Sequence, residues 1–201
     1  MNDPIGVVLA GGAGRRLGGN KATVKLAGRT LISYPLDVLW RTLGAVAVVA
    51  KPDSELPALP GVTVWIEPRE PRHPLTGIVH ALRCANGRAV VVCATDLPLV
   101  SEALIRSLAE ADAGAASAVL AWADGRIQPS LGRYGSDALE PLARALERPD
   151  RALTEMVMAL RPKLIEVSDA EELFNVNTPE DLLHARAGLE RRRLTQPNVK
   201  S

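Results

Sequence analysis

The sequence predicts an α/β fold in a single domain: a mostly parallel twisted sheet with helices on both faces and a mixed, partly antiparallel second half. Three observations carry this. Four short runs are almost wholly apolar, Ile5 to Ala10, Ala45 to Ala50, Val62 to Ile66 and Ala89 to Ala94, which is how strands buried on both faces read. Segments with helical spacing separate them, the alternation that builds a parallel sheet between helical layers. Later, "SAVLAW" and "RIQPSLGRY" flank Asp124-Gly125, a turn pair that joins antiparallel strands.

In order along the chain, Thr30 to Leu43 carries Leu31, Leu36, Leu39, Trp40 and Leu43 at helical spacing and stops at Gly44. Further helices are predicted over Leu75 to Cys84, Ser101 to Ala111, Ser136 to Glu147 and Pro179 to Arg193. Ser101 and Thr178 stand as N-caps, the second followed by Pro179 at the first helical position and Asp181 at the third. Six prolines from Pro52 to Pro74 leave loop on either side of one strand. "KLIEV" and "LFNV" are two further short strands, and "TQPNVKS", residues 195–201, is a frayed tail.

With 201 residues and 47% apolar content the chain can bury a sizeable core. A net charge of +1 gives no global field for a nucleic acid, so anion binding must be local. One phenylalanine and two tyrosines supply no stacking platform for single strands. Cys84 and Cys93 fit neither a disulfide framework nor a metal cluster and read as small core residues in a reducing cytoplasm. The first apolar run is far shorter than the roughly 20 residues needed to cross a bilayer, and no basic signal-peptide start precedes it. A cytoplasmic protein without membrane or nucleic-acid partners is the expectation.

The chemistry concentrates where the first strand ends. From Pro4 to Leu36 the chain holds Arg15, Arg16, Lys21, Lys25 and Arg29 and no Asp or Glu. Gly11, Gly12, Gly14, Gly18 and Gly19 remove Cβ atoms so that backbone N–H groups can close on phosphate oxygens. In an open α/β sheet, ligands bind at that edge. A P-loop is excluded, since Lys21 follows Asn20 and precedes Ala22. The dinucleotide fingerprint also fails: its third glycine position is Leu17, and no acid ends the second strand at Ala50.

What remains, "LAGGAGRRLGGNK", resembles the signature of the NTP-transferase superfamily, whose members couple NTPs to phosphorylated acceptors, most closely the molybdenum cofactor guanylyltransferases. "HPLTGIVHAL", "VVVCATDLPLV" and "FNVNTPEDL" are similar to three further family blocks, in the same order. The resemblance implies a Rossmann-like nucleotidyltransferase fold over residues 1–194, with a nucleotide half at about 1–100 and an acceptor half at about 101–194. It also implies transfer of GMP from Mg-GTP to molybdopterin, with release of pyrophosphate. Arg16 and Lys21 would hold the β and γ phosphates. Leu9, Ala10, Gly11, Gly12, Ala13, Gly14, Leu75 and Gly77 would line the nucleotide. Two departures stand out. Asn20 replaces an acid before the loop lysine, so Lys21 aligns only across a one-residue gap, and Lys25 reads as the exposed face of a short strand. The acid expected near the base falls at Pro68, with Glu67 beside it.

Asp96 follows the apolar run "AVVVCA", which places a carboxylate at a strand's carboxyl end beside the glycine loop. Mg²⁺ takes hard oxygen ligands and needs few from protein when substrate phosphates supply others. A strand-end aspartate also serves as a turn or helix cap, although Ser101 is there to cap the next helix. Asn175 and Asn177 share one face if their run is extended, and an Asx turn before Thr178-Pro179 is the other reading. By resemblance, Asn177 belongs to the metal and acceptor side, with Asn175 second. Gln128, Pro129 and Ser130 are acceptor-side candidates. A cytidylyl variant on molybdopterin, a guanylyltransferase on a phospho-acid in deazaflavin cofactor assembly, and a non-catalytic nucleotide-binding homologue stay open. Transient contact with cofactor-assembly or acceptor proteins is a further expectation.

Overall fold

A computed structural model of the chain describes residues 3–11, 15–17, 19 and 21–195. Seven strands form the main sheet: β1 (Ile5–Leu9), β4 (Val46–Ala50), β5 (Thr63–Ile66), β6 (Val90–Ala94), β7 (Ala118–Ala123), β8 (Arg126–Tyr134) and β9 (Lys163–Glu166). Lys25–Leu26 and Arg29–Thr30 are β2 and β3, a two-stranded hairpin of their own. The helices are α1 (Ser33–Thr42), α2 (Pro74–Cys84), α3 (Glu102–Glu110), α4 (Leu139–Ala145), α5 (Leu153–Met158) and α6 (Pro179–Thr195).

The sheet order is β5-β4-β1-β6-β8-β7-β9, and β8 alone runs against the others. Successive strand residues alternate between two cores. Val8, Val48, Val91 and Cys93 face α1 and α3, whereas Val7, Ala47, Val49, Val90 and Val92 face α2, α4 and α5. Because both faces are covered, the strand sequences are continuously apolar. β1 pairs β4 on one side and β6 on the other, both parallel, and this reversal of strand order opens a crevice at the carboxyl ends.

Asp124 and Gly125 both take positive φ, 51 and 74°, as the β7–β8 turn requires. β8 pairs with β6 through Leu131, but its pairing with β7 jumps from Gly132 to Gln128, leaving a bulge at Pro129 to Leu131. Pro129 lacks the N–H that an unbroken ladder would need.

Several expectations are corrected. "LFNV" is no strand: Ala170–Leu173 is a 3-10 turn, and Val176 N–H bonds singly to the Asp96 carbonyl rather than joining a ladder. The helix predicted over 136–147 divides into a 3-10 turn and the shorter α4. α5 was unforeseen, and α1 ends at Thr42 with Leu43 extended rather than at a glycine cap. Trp40 points outward, 54% exposed. Residues 196–201 of the tail lie outside the described residues, as do Gly12, Ala13, Gly14, Gly18 and Asn20.

Candidate active site

A cavity of about 450 Å³ lies at the carboxyl ends of β1, β4, β5 and β6, a size suited to a small-molecule ligand. Each strand delivers polar or backbone groups to it just past its last residue: Gly11 after β1, Lys51 after β4, Glu67 after β5, Thr95 and Asp96 after β6. Pro74 and Gly77 of α2 and Ser130 of the β8 bulge complete its wall.

At one end Lys21 Nζ donates to Asp96 Oδ2 at 2.6 Å and to Asn177 Oδ1 at 2.7 Å. The Val176 N–H to Asp96 carbonyl bond, 2.9 Å, lays the 174–177 segment against the end of β6. Leu17, Val176 and Ala185 share a small apolar cluster that fixes the loop, this segment and α6 together. Asp181 Oδ2 accepts from the N–H groups of Asn177 and Thr178, and Thr178 Oγ1 accepts from Asp181 N–H. That reciprocal cap starts α6 and holds Asn177 in place. Its N–H donors keep the Asp181 carboxyl below its ordinary value.

At the other end Lys51 Nζ meets Glu67 Oε1 at 3.3 Å and donates to the Pro68 carbonyl at 3.1 Å. Burial pushes the Glu67 carboxyl up, with the Lys51 ammonium opposing. A Cβ on Gly11 would sit 2.6 Å from Glu67 Oε1, and one on Gly77 would sit 3.3 Å from Oε2. Both glycines therefore make room for this carboxylate. Among the described residues, two buried side-chain atoms lack a hydrogen-bond partner, Glu67 Oε2 and Asp96 Oδ1. Both belong to residues of this wall. An unsatisfied buried polar group costs about 1–3 kcal/mol, more when charged, so each has capacity left to accept a hydrogen bond or a cation.

The remaining expected residues fall as follows. Arg16 is exposed on the one-turn helix Arg15–Leu17. Lys25 is exposed on β2. The Leu9 carbonyl accepts from Thr95 N–H and Oγ1, Ala10 N–H bonds to Val49 O, and Leu9 itself lines the cavity. Leu75 is buried in the core, its N–H taken by His73 Nδ1, and its helix neighbours Pro74 and Gly77, the second also expected, line the cavity. The Asn175 amide donates to the Leu173 carbonyl, whereas Asn177 accepts from Lys21. Ser130 reaches the wall, with Gln128 holding its hydroxyl and the Pro129 carbonyl accepting from Tyr134. Cys93 is buried, its thiol pushed well up by burial and secondarily by the Asp96 charge.

Lys51 is a site residue that the sequence reading did not single out, and Glu67 was noted only as a neighbour of Pro68. The signal was present: each is the first charged residue after a largely apolar strand, as Asp96 is.

Parallel strands that bring lysines and carboxylates to one cavity beside a glycine-rich, cationic loop define a nucleotidyltransferase of the α/β class. The chain belongs to the MobA-like NTP transferase domain family, which matches residues 6–163. A Mycobacterium tuberculosis protein named "Probable molybdenum cofactor guanylyltransferase" is 37% identical over 186 residues, covering 88% of this chain and 90% of that one. In fold, the chain resembles the molybdopterin-guanine dinucleotide biosynthesis protein A of Archaeoglobus fulgidus. That match has a TM-score of 0.73 and 24% identity, covering 93% of this chain and 99% of the other. A Mycobacterium tuberculosis protein solved in complex with manganese has the same fold, with a TM-score of 0.69 and 18% identity, covering 92% and 99%.

Proposed function

We propose that the chain transfers GMP from Mg-GTP to the terminal phosphate of molybdopterin, forming the guanine dinucleotide and releasing pyrophosphate. The observation that carries this reading is the pair of unpartnered buried oxygens, Asp96 Oδ1 at the phosphate end and Glu67 Oε2 at the other end of one cavity. The relatives named for this activity support it.

Guanine offers two adjacent donors, N1–H and N2–H, next to the O6 acceptor. A buried carboxylate beside an ammonium complements that edge, so Glu67 accepts from the donors and Lys51 donates to O6. The carboxylate comes from one residue before the position where the family's acid is expected. An acceptor phosphate oxygen then bonds to the α-phosphorus while the α–β bridging bond breaks, its electron pair leaving with pyrophosphate. A phosphate dianion is already nucleophilic, so positioning and charge neutralisation suffice. Arg16 and Lys21 hold the leaving phosphates.

Asp96 and Asn177 fit a divalent cation. Their oxygens converge on one point, where Lys21 Nζ now lies, and Asp96 Oδ1 is unpartnered. Asp96 and Asn177 would hold a hard cation there, which would supply charge withdrawal at the α-phosphate.

Pyrophosphate release measured with each of the four NTPs and Mg²⁺, with and without molybdopterin, tests this. GTP with molybdopterin is expected to be the productive pair. Preference for CTP would transfer the same chemistry to another base, and tight GTP binding without turnover on any acceptor would reduce the chain to a binding module.

A further inference from the structure

Lys21 has two tasks that one position cannot serve. It is the loop cation assigned to the triphosphate, yet its ammonium is bonded to Asp96 Oδ2 at 2.6 Å and Asn177 Oδ1 at 2.7 Å. Those are the two side-chain oxygens that converge as a cation seat. The pair is largely shielded, with side-chain exposures of 15% for Lys21 and 16% for Asp96, so its charges interact through more than bulk water. Glu67 lies at the far end of the cavity, paired to Lys51 instead. Among the described residues no cluster of three or more His, Cys, Asp or Glu could hold a metal without substrate.

We propose that the Lys21 ammonium is a built-in counter-ion that keeps the seat between Asp96 and Asn177 closed to divalent cations until triphosphate oxygens draw it away. Resting on the assignment of that seat above, this adds an order of binding. A single carboxylate already neutralised by a lysine offers a free dication little, whereas a nucleotide's phosphates attract Lys21 and leave Asp96 and Asn177 open. Lys21 thus couples nucleotide arrival to completion of the cation site. Loose binding of metal in the absence of nucleotide follows directly.

The test is titration of the whole protein with Mn²⁺ alone, followed calorimetrically and by the electron paramagnetic resonance signal of free Mn²⁺. Wild type is compared with Lys21→Met, Lys21→Arg, Asp96→Asn and the double variant Lys21→Met/Asp96→Asn. Lys21→Met is expected to bind Mn²⁺ at least about tenfold more tightly than wild type, since a positive charge a few ångströms away has been removed. Lys21→Arg keeps the charge and stays as weak as wild type, which separates the effect from general loosening of the loop. The double variant loses the gain. If Lys21→Met binds no more tightly than wild type while Asp96→Asn weakens both, the counter-ion role is overturned and the seat stands. If Asp96→Asn leaves Mn²⁺ binding to Lys21→Met unchanged, the seat itself is misassigned. None of these readouts needs turnover, so they are separable from the choice of base and acceptor.

Discussion

Two carboxylates face the cavity, Asp96 and Glu67, and their surroundings differ. Asp96 hangs on a main-chain carbonyl that also anchors Val176, so Asp96→Ala keeps that bond and the fold. Pyrophosphate release from GTP and molybdopterin is expected to fall at least about 10²-fold, and full activity in the purified variant would remove Asp96 from the mechanism. Glu67 must be ionised to accept from base donors, and burial raises its pKa above the ordinary 4.5. GTP affinity is therefore expected to weaken on acidification while the pH is still above 4.5, and Glu67→Gln to abolish that dependence while costing about 1–3 kcal/mol of binding. Stability runs the other way. The folded state holds this proton more tightly than the unfolded chain, so the carboxyl destabilises the fold as pH rises from 4.5 through its raised value. Gly11→Ala would drive a Cβ against the Glu67 carboxylate. A raised KM for GTP with unchanged secondary structure is expected, and an unchanged KM would separate Gly11 from the base end. Asp96 was legible from sequence because it ends an apolar strand beside a loop of unbalanced positive charge. Lys51 and Glu67 end strands too, but they stand among prolines and other charges, and only the fold brings them together.

α6 shows how an element far along the chain completes a site at its beginning. Its first turn is closed by Thr178 and Asp181, and Arg192 reaches the Leu99 carbonyl and Asp169. The helix and the Asn177 segment are thus clamped to the loop after β6. Replacing Asp181 by Ala removes acceptors for two N–H groups and is expected to cost about 1 kcal/mol, or roughly 2–4 °C in Tm for a chain of this size. Activity should fall further than stability, because Asn177 loses its tether. The Asp181 carboxyl lies below its ordinary 3.8. Its contribution is therefore present above the unfolded value and lost as pH falls through the folded one, and Asp181→Asn should flatten that part of the acid limb of thermal stability. The cap was readable from Thr178-Pro179 with Asp181, since capping is a local pattern. The preceding "LFNV" was not, because alternating apolar and polar residues look like a strand until the single bond from Val176 to Asp96 is seen. α5 was hidden for a related reason: Leu153, Met156 and Val157 make one short stripe on a six-residue helix, and tertiary packing against β8 and α4 stabilises it.

At the scale of the molecule, the order of strands decides function. β1 sits between β4 and β6, so everything that leaves their carboxyl ends faces one crevice. The Lys51–Glu67 end, proposed for the base, is furnished by the β4 and β5 side, and the Lys21–Asp96 end, proposed for the phosphates, by β6 with help from the segment before α6. The parallel half was legible because both faces of β1, β4 and β6 are covered, which leaves continuous apolar runs, while β5 at the edge stays largely exposed. The reversal at β8 was legible because Asp124-Gly125 is a local turn signal. How the β8 bulge carries Ser130 to the cavity wall was not, since it depends on pairing with two neighbours in different registers. No helix among the described residues is long and apolar enough to cross a membrane. In the proposed reaction an acceptor phosphate attacks the α-phosphorus of GTP within this crevice. Turnover with molybdopterin and Mg²⁺, using GTP labelled in parallel at the α and γ phosphates, tests it most directly. The expected result is α label in the pterin dinucleotide and γ label in pyrophosphate, in equal amounts; α label in free GMP, or γ label in orthophosphate, would contradict it.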